Sequence, residues 1–243
     1  MLSYVQCYLL LSKLGLKRKP LLKYLCNNLV YSVDSIYEEI NKYYMFELFS
    51  RQQILDYLDI VDSYINNCNC IDICLIKNPF EIGVLYLKGN TSLLNDEYRK
   101  ICIIGSRDIS GIDPMIVEQE IIKLICNNFC IISGLALGGD TMVHQTVLDN
   151  SGKTIAVLPS GIDNIYPKSN SNLAQRILLN NNGLVVSPFG IKSNIYKSNF
   201  IIRDRLMVLV SKKLLVISRQ MSRGVNHSIK FAKRYNIPID YLE

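Results

Sequence analysis

The chain has 243 residues, 49% of them apolar, and carries a formal net charge of +6 with eight cysteines. That length can bury a sizeable core and hold one large domain plus a small one, and the apolar content excludes a disordered chain. No apolar run approaches the ~20 residues of a helical membrane span, and the mild positive charge permits an anionic partner without requiring one.

Met1 to Leu16 is apolar but lacks a basic leading region and a small-residue cleavage site, so it reads as a helix of the mature protein and not as a signal peptide. Cysteines set in apolar segments (Cys26, Cys102, Cys126, Cys130) suit a cytoplasmic protein. Gly15 then makes a turn, and Pro20 opens a second helix after Lys17, Arg18 and Lys19. Helical spacing recurs over 33–42 and 51–64. Residues 1–76 are therefore expected to form a small all-helical domain of the helix–hairpin–helix kind. Its three basic residues suit either a phosphate strand or a solvated helix edge. Asn66 to Asn78 reads as a polar connector with an apolar patch. It holds Cys68, Cys70 and Cys74, which lack the matched second pair or histidine that a zinc site needs. No metal and no cofactor are expected.

From residue 77 onward, strands alternate with helices. Strands are expected near 84–88, 101–105, 129–133, 153–158, 184–187, 213–218 and 236–240. Helices are expected near 114–127, 140–150, 169–182, 199–211 and 224–235. This alternation predicts an α/β fold, a doubly wound and mostly parallel Rossmann-like sheet, over residues 77–243.

In such a sheet the loops leaving the strand ends converge on one crevice. Those loops hold Gly105-Ser106-Arg107, Ser133-Gly134, Gly138-Gly139-Asp140, Gly161, Ser187 to Gly190, and Ser218 to Gly224. Glycine and serine let the backbone approach a ligand, and Arg107, Lys168, Arg203, Arg205, Arg219 and Arg223 make the crevice basic. Asp140 is placed to cap the helix that the Gly138-Gly139 pair opens. His144, one turn later, can share a face with Asp140, and His227 has no evident carboxylate partner. Phe200 beside Arg203 and Arg205 adds a stacking face, a combination suited to single-stranded nucleic acid. No dinucleotide fingerprint, Walker pattern or catalytic constellation is evident, so a binding protein is expected and not an enzyme.

Taken together, several stretches resemble the DNA-processing protein A (DprA/Smf) family. They are Leu85 to Asn90, Ile104 to Arg107, Ser133 to Asp140 with His144, Gly152 to Val157, Gly161-Ile162-Asp163 with Tyr166-Pro167, and Phe200 to Arg205. The resemblance implies a DNA pocket using Gly105, Ser106, Arg107, Ser133, Gly134, Lys153, Arg203 and Arg205. It also implies single-stranded DNA as ligand, loading of a RecA-type recombinase during transformation, and a homodimer. Where the family carries Arg-Asn-Arg this chain has Arg203-Asp204-Arg205. The family's acidic residue at the fifth strand end is Ser218, and its Ser-Gly-Ser turn is Arg223-Gly224-Val225. The chain stops at Glu243, so the family's proline-glycine end and any following C-terminal winged-helix domain are expected to be absent. The alternative within the enzyme class is a lysine-decarboxylase-like nucleotide hydrolase, whose loop would need a glutamate that Ser222 to Ser228 lacks. A small-nucleotide sensor using the same crevice is the third reading.

Overall fold

The computed structural model describes Ser32 and residues 34–38, 51–66, 72–78, 81–95, 97–109, 111, 113–191, 193–218 and 222–242. The chain divides into two compact units, Met1–Leu85 and Tyr86–Glu243. In the first unit, residues 34–38 are helical and helix α1 spans Arg51–Asn66, with Ile54 buried. Strand β1 (Asp72–Asn78) follows, and β2 (Glu81–Gly89) begins there. The stretch expected as a connector thus contains a strand: Ile73-Cys74-Leu75-Ile76 is a short apolar run with β-branched ends, the composition a strand favours. Lys17, Arg18, Lys19, Cys68, Cys70, Arg219 and the Cys74 side chain lie outside the described residues.

The second unit follows the predicted alternation closely. Its elements are β3 (Arg99–Gly105), α2 (Pro114–Cys126), β4 (Phe129–Ser133), α3 (Gly139–Asp149), β5 (Lys153–Val157) and α4 (Ser171–Leu179). Then come β6 (Gly183–Ser187), α5 (Lys197–Leu209), β7 (Lys213–Ile217), α6 (Arg223–Arg234) and β8 (Ile239–Tyr241). The strands pair in the order β2-β6-β5-β4-β3-β7-β8. All neighbours are parallel except β2 and β6, where Tyr86 faces Ser187 and Gly89 faces Leu184 in antiparallel register.

Local chemistry explains the element boundaries. Asp113 caps α2 by accepting the Met115 N–H at 2.9 Å, and Pro114 occupies the first helical position, where its missing N–H costs nothing. The central strands are buried along their length, as a sheet covered by helices requires. One face of β3, β4 and β7 (Ile101, Ile103, Ile131, Leu215, Ile217) packs on Val117 and Ile121 of α2 and Val143 and Val147 of α3. Each such side chain contributes about 1.5–3 kcal/mol by leaving water. Cys102 and Cys130 are buried, and burial raises both thiols, Cys130 to about 12, so they behave as inert core groups.

The strand order positions the site. From β3 the chain builds outward through β4, β5 and β6, then returns to add β7 on the other side of β3. The strand order thus reverses between β3 and β7, and the C-terminal ends of these two strands mark the topological switch point where α/β sheets bind ligands.

Candidate nucleic-acid interface

The β3 and β4 loops are locked together by glycines. A Cβ on Gly105 would lie 2.8 Å from the Gly139 Cα, and the Gly139 N–H donates to the Ser106 carbonyl at 2.9 Å. The close approach carries Ser106-Arg107 over the start of α3. The Ser106 hydroxyl accepts the Asp108 N–H at 3.2 Å, while Arg107 remains exposed.

Beside Arg107 lies a cleft lined by Gly134, Ala136, Leu137, Pro159, Tyr166, Pro167, Phe200 and Arg203. Tyr166 and Phe200 meet edge to face, ring centroids 5.8 Å apart. The cleft thus pairs an aromatic and proline wall with an exposed arginine, which suits a base and its phosphate. Gly138 opens α3, Gly161 sits in the loop after β5 with its backbone against the Ile191 carbonyl, and Lys168 is exposed one residue beyond Pro167.

Arg203 forms the floor. It is only 6% exposed, and its Nη1 lies 3.5 Å from Asp140 Oδ2, while its Nε lies 3.0 Å from Asp204 Oδ1. The latter contact is an ion pair without hydrogen-bond geometry, so the buried Nε makes no hydrogen bond. Two carboxylates around one guanidinium leave Arg203 without surplus positive charge. Burial, reinforced by Asp140 and opposed by Arg203 and His227, raises the Asp204 carboxyl to about 6.

The structure departs from several sequence expectations. Asp140 does not cap α3: the cap position is Gly138, and the Asp140 carboxylate accepts the Ala136 N–H at 3.2 Å and faces Arg203 instead. It holds the preceding loop, because the nearby guanidinium draws it inward. Arg205 does not join Arg203 at the cleft. Residues two apart on a helix point about 200° apart, and Arg205 Nε donates to the Tyr235 hydroxyl at 2.6 Å. Lys153 begins β5, at the opposite end of the strand from the crevice, where its ammonium donates to Asn128 Oδ1 at 2.5 Å.

Ser133 is fully buried and donates its hydroxyl to the Ile103 carbonyl, leaving its backbone as the group nearest the loop. His144 is buried against the Thr154 hydroxyl at 2.8 Å, not Asp140, and burial lowers it to about 4, with Arg203 adding to the fall. It is a core histidine.

Across Arg107 and Arg203 lies a second, larger cavity of about 610 Å³, bounded by the β3 loop, α5 and the first turn of α6. Its Lys197 and Val225 were not among the crevice residues expected from sequence, whereas Ser222 lies in the expected Ser218 to Gly224 loop. Lys197 opens α5 two residues before the start expected at 199, and Ser222 caps α6 just ahead of the start expected near 224.

Comparison with known proteins decides the lineage. Residues 74–242 match the family model of DNA recombination-mediator protein A. The chain belongs to this family. Among curated members, it is 37% identical over 141 residues to the DNA processing protein DprA of Streptococcus pneumoniae, covering 58% of this chain and 48% of that protein. It is 31% identical over 142 residues to DprA of Bacillus subtilis, covering 58% and 47%. The chain thus spans about half the length of these relatives. The S. pneumoniae DprA crystal structure superposes with a TM-score of 0.74 at 24% identity, covering 99% of this chain and 86% of that one. DNA processing protein A from Helicobacter pylori, studied for its single-stranded DNA binding mode, superposes with a TM-score of 0.58 at 29% identity, covering 70% and 80%. Among the described residues, no helix is long and apolar enough to cross a membrane.

Proposed function

We propose that this chain binds single-stranded DNA in the cleft between Arg107 and the Tyr166–Phe200 pair, with no chemistry performed on the strand. The observation that carries this reading is the pairing of the exposed Arg107 with that aromatic wall at one cleft. Phosphate contact at Arg107 and stacking on Phe200 or Tyr166 act without regard to base identity, as binding of arbitrary single strands requires. The relation to the H. pylori protein supports the same ligand. Gly105, Ser106, Gly134, Gly138 and Gly161 shape the backbone around the strand, and Lys168 extends the basic rim. Binding at this cleft serves recombination during DNA uptake: the strand is protected and passed to a RecA-type recombinase, by a cytoplasmic homodimer. In this reading residues 77–243 carry the DNA site and residues 1–76 are a separate small domain.

Anisotropy of a fluorescent oligothymidylate, titrated at several salt concentrations with duplex DNA as competitor, tests the reading. Tight, salt-sensitive binding that duplex fails to displace supports it; equal affinity for duplex and single strand refutes it. Acceleration of recombinase filament assembly on the bound strand tests the transfer step separately.

A further inference from the structure

The arginine that floors the cleft has its charge more than cancelled where it lies. Arg203, Asp140 and Asp204 are 6%, 5% and 5% exposed. Asp140 Oδ2 stands 3.5 Å from Arg203 Nη1, and Asp204 Oδ1 stands 3.0 Å from Arg203 Nε. Fully ionised, the three groups sum to one negative charge, buried beneath the place assigned to a phosphate-bearing strand. We propose that Asp204 is a positioning residue for strand binding: it fixes how much of the Arg203 charge the strand meets, and binding draws a proton onto its carboxylate. The inference rests on the single-strand reading above.

The two carboxylates are not equivalent. Asp140 also accepts the Ala136 N–H at 3.2 Å, so it holds a loop of the cleft as well as the guanidinium. Asp204 meets Arg203 Nε without hydrogen-bond geometry. Neutralising it therefore breaks no hydrogen bond to that nitrogen and leaves Arg203 on the floor beside Asp140. Asp204 is the member of the cluster whose charge can change while the cleft keeps its shape.

The proton comes from water and adds to the carboxylate, no bond between heavy atoms changes, and the cluster passes from one negative charge to none. A phosphate group is itself an anion, so it meets less repulsion from the neutral cluster. Affinity and proton uptake are then coupled reciprocally: the protonated protein binds the strand more tightly, and the bound strand favours the protonated protein. Burial places this exchange in a useful range. It raises the Asp204 carboxyl to about 6, opposed by Arg203, reinforced by Asp140 and opposed by His227.

The groups facing Asp204 come from every element packed on it. Arg203 is its neighbour on α5, Asp140 comes from α3, His227 from α6 and the buried Cys102 thiol from β3. Arg107, Asp108, Lys197 and Arg223 line the cavity beside it but are exposed, where water and salt screen them. Of these neighbours, His227 is of the type that also changes charge near neutral pH, so it is the necessary control.

The test titrates the full chain with a fluorescent oligothymidylate by anisotropy at fixed salt from pH 6 to 8, beside Asp204→Asn and His227→Gln. A single proton taken up on binding weakens affinity by up to about tenfold per pH unit. The parent should lose about tenfold or more across this range. Asp204→Asn should vary by less than about twofold and bind at pH 8 about tenfold more tightly than the parent, a gain that a merely structural role would not produce. His227→Gln should keep the parent's slope. Calorimetry of the parent alone, at pH 6.5 in two buffers of different ionisation enthalpy, should show uptake of about half a proton or more on binding, whether or not the variants fold. A slope retained in Asp204→Asn, a slope abolished in His227→Gln, or binding without proton uptake overturns the inference. Strand binding that is flat with pH in the parent overturns it too, and leaves the single-strand reading intact. A parent that binds no oligothymidylate at any pH refutes that reading and this inference with it.

Discussion

The guanidinium of Arg203 occupies the space that a side chain at residue 134 would fill: a Cβ on Gly134 would lie 1.1 Å from Arg203 Nη1 and 3.0 Å from Asp140 Oδ2. Glycine is needed here for closeness of approach, since the floor of the cleft is an arginine pressed on bare backbone. Gly134→Ala is therefore expected to drive the guanidinium off its carboxylates. Breaking a buried ion pair costs about 3 kcal/mol, and oligothymidylate affinity should fall by about tenfold, or ~1.4 kcal/mol. Melting and anisotropy on the same preparation check both; a variant as stable and as tight as the parent contradicts this role for Arg203.

Arg107 makes a different kind of contribution. It is exposed, so Arg107→Ala should leave the melting temperature within about 2 °C of the parent, as surface substitutions do. Loss of one phosphate contact should lower the salt slope by about 0.7 for a single strand. A salt titration of parent and variant reads that slope directly.

Arg205→Ala and Lys153→Ala should leave oligonucleotide affinity unchanged within about twofold, because neither side chain faces the cleft. Arg205→Ala removes a hydrogen bond to Tyr235 and should cost about 1 kcal/mol of stability by chemical denaturation. Strong loss of binding in either variant would place the strand elsewhere on the protein.

The buried acid and histidine make opposing demands on pH. Asp204 is raised from 3.8 to about 6, so its stabilising share is complete below pH 4 and lost as pH rises through 6. His144 is lowered from 6.5 to about 4, so its share is complete above pH 6.5 and lost as pH falls through 4. In the parent these trends offset each other. Asp204→Asn removes the first, and its stability should then climb more steeply from pH 4 to 6.5, by on the order of 2 kcal/mol. Thermal melts at pH 4, 5 and 6.5 check this; parallel profiles for the two proteins would count against a protonated Asp204.

The sheet was legible because its strands are uniform apolar runs such as Ile101 to Ile104 and Leu214 to Ile217, each ending at glycine or serine. Strand β1 was not, since Ile73 to Ile76 is short and set among asparagines. Arg107 and the glycine loops were legible from the rule that strand ends converge. The same rule applied strictly would have excluded Lys153, which starts its strand, and the helical period would have separated Arg203 from Arg205. The inward turn of Asp140 was not legible: it depends on an arginine 63 residues away in sequence. Tyr166 meeting Phe200 is likewise a tertiary contact that spacing does not encode.

Photocrosslinking tests the central claim most directly. A 5-iodouracil-substituted oligonucleotide bound to the full chain and irradiated should attach to Tyr166 or Phe200, read by mass spectrometry of the digested complex. Attachment only to residues remote from Arg107, or none under conditions of saturated binding, would contradict the cleft as the site of the strand.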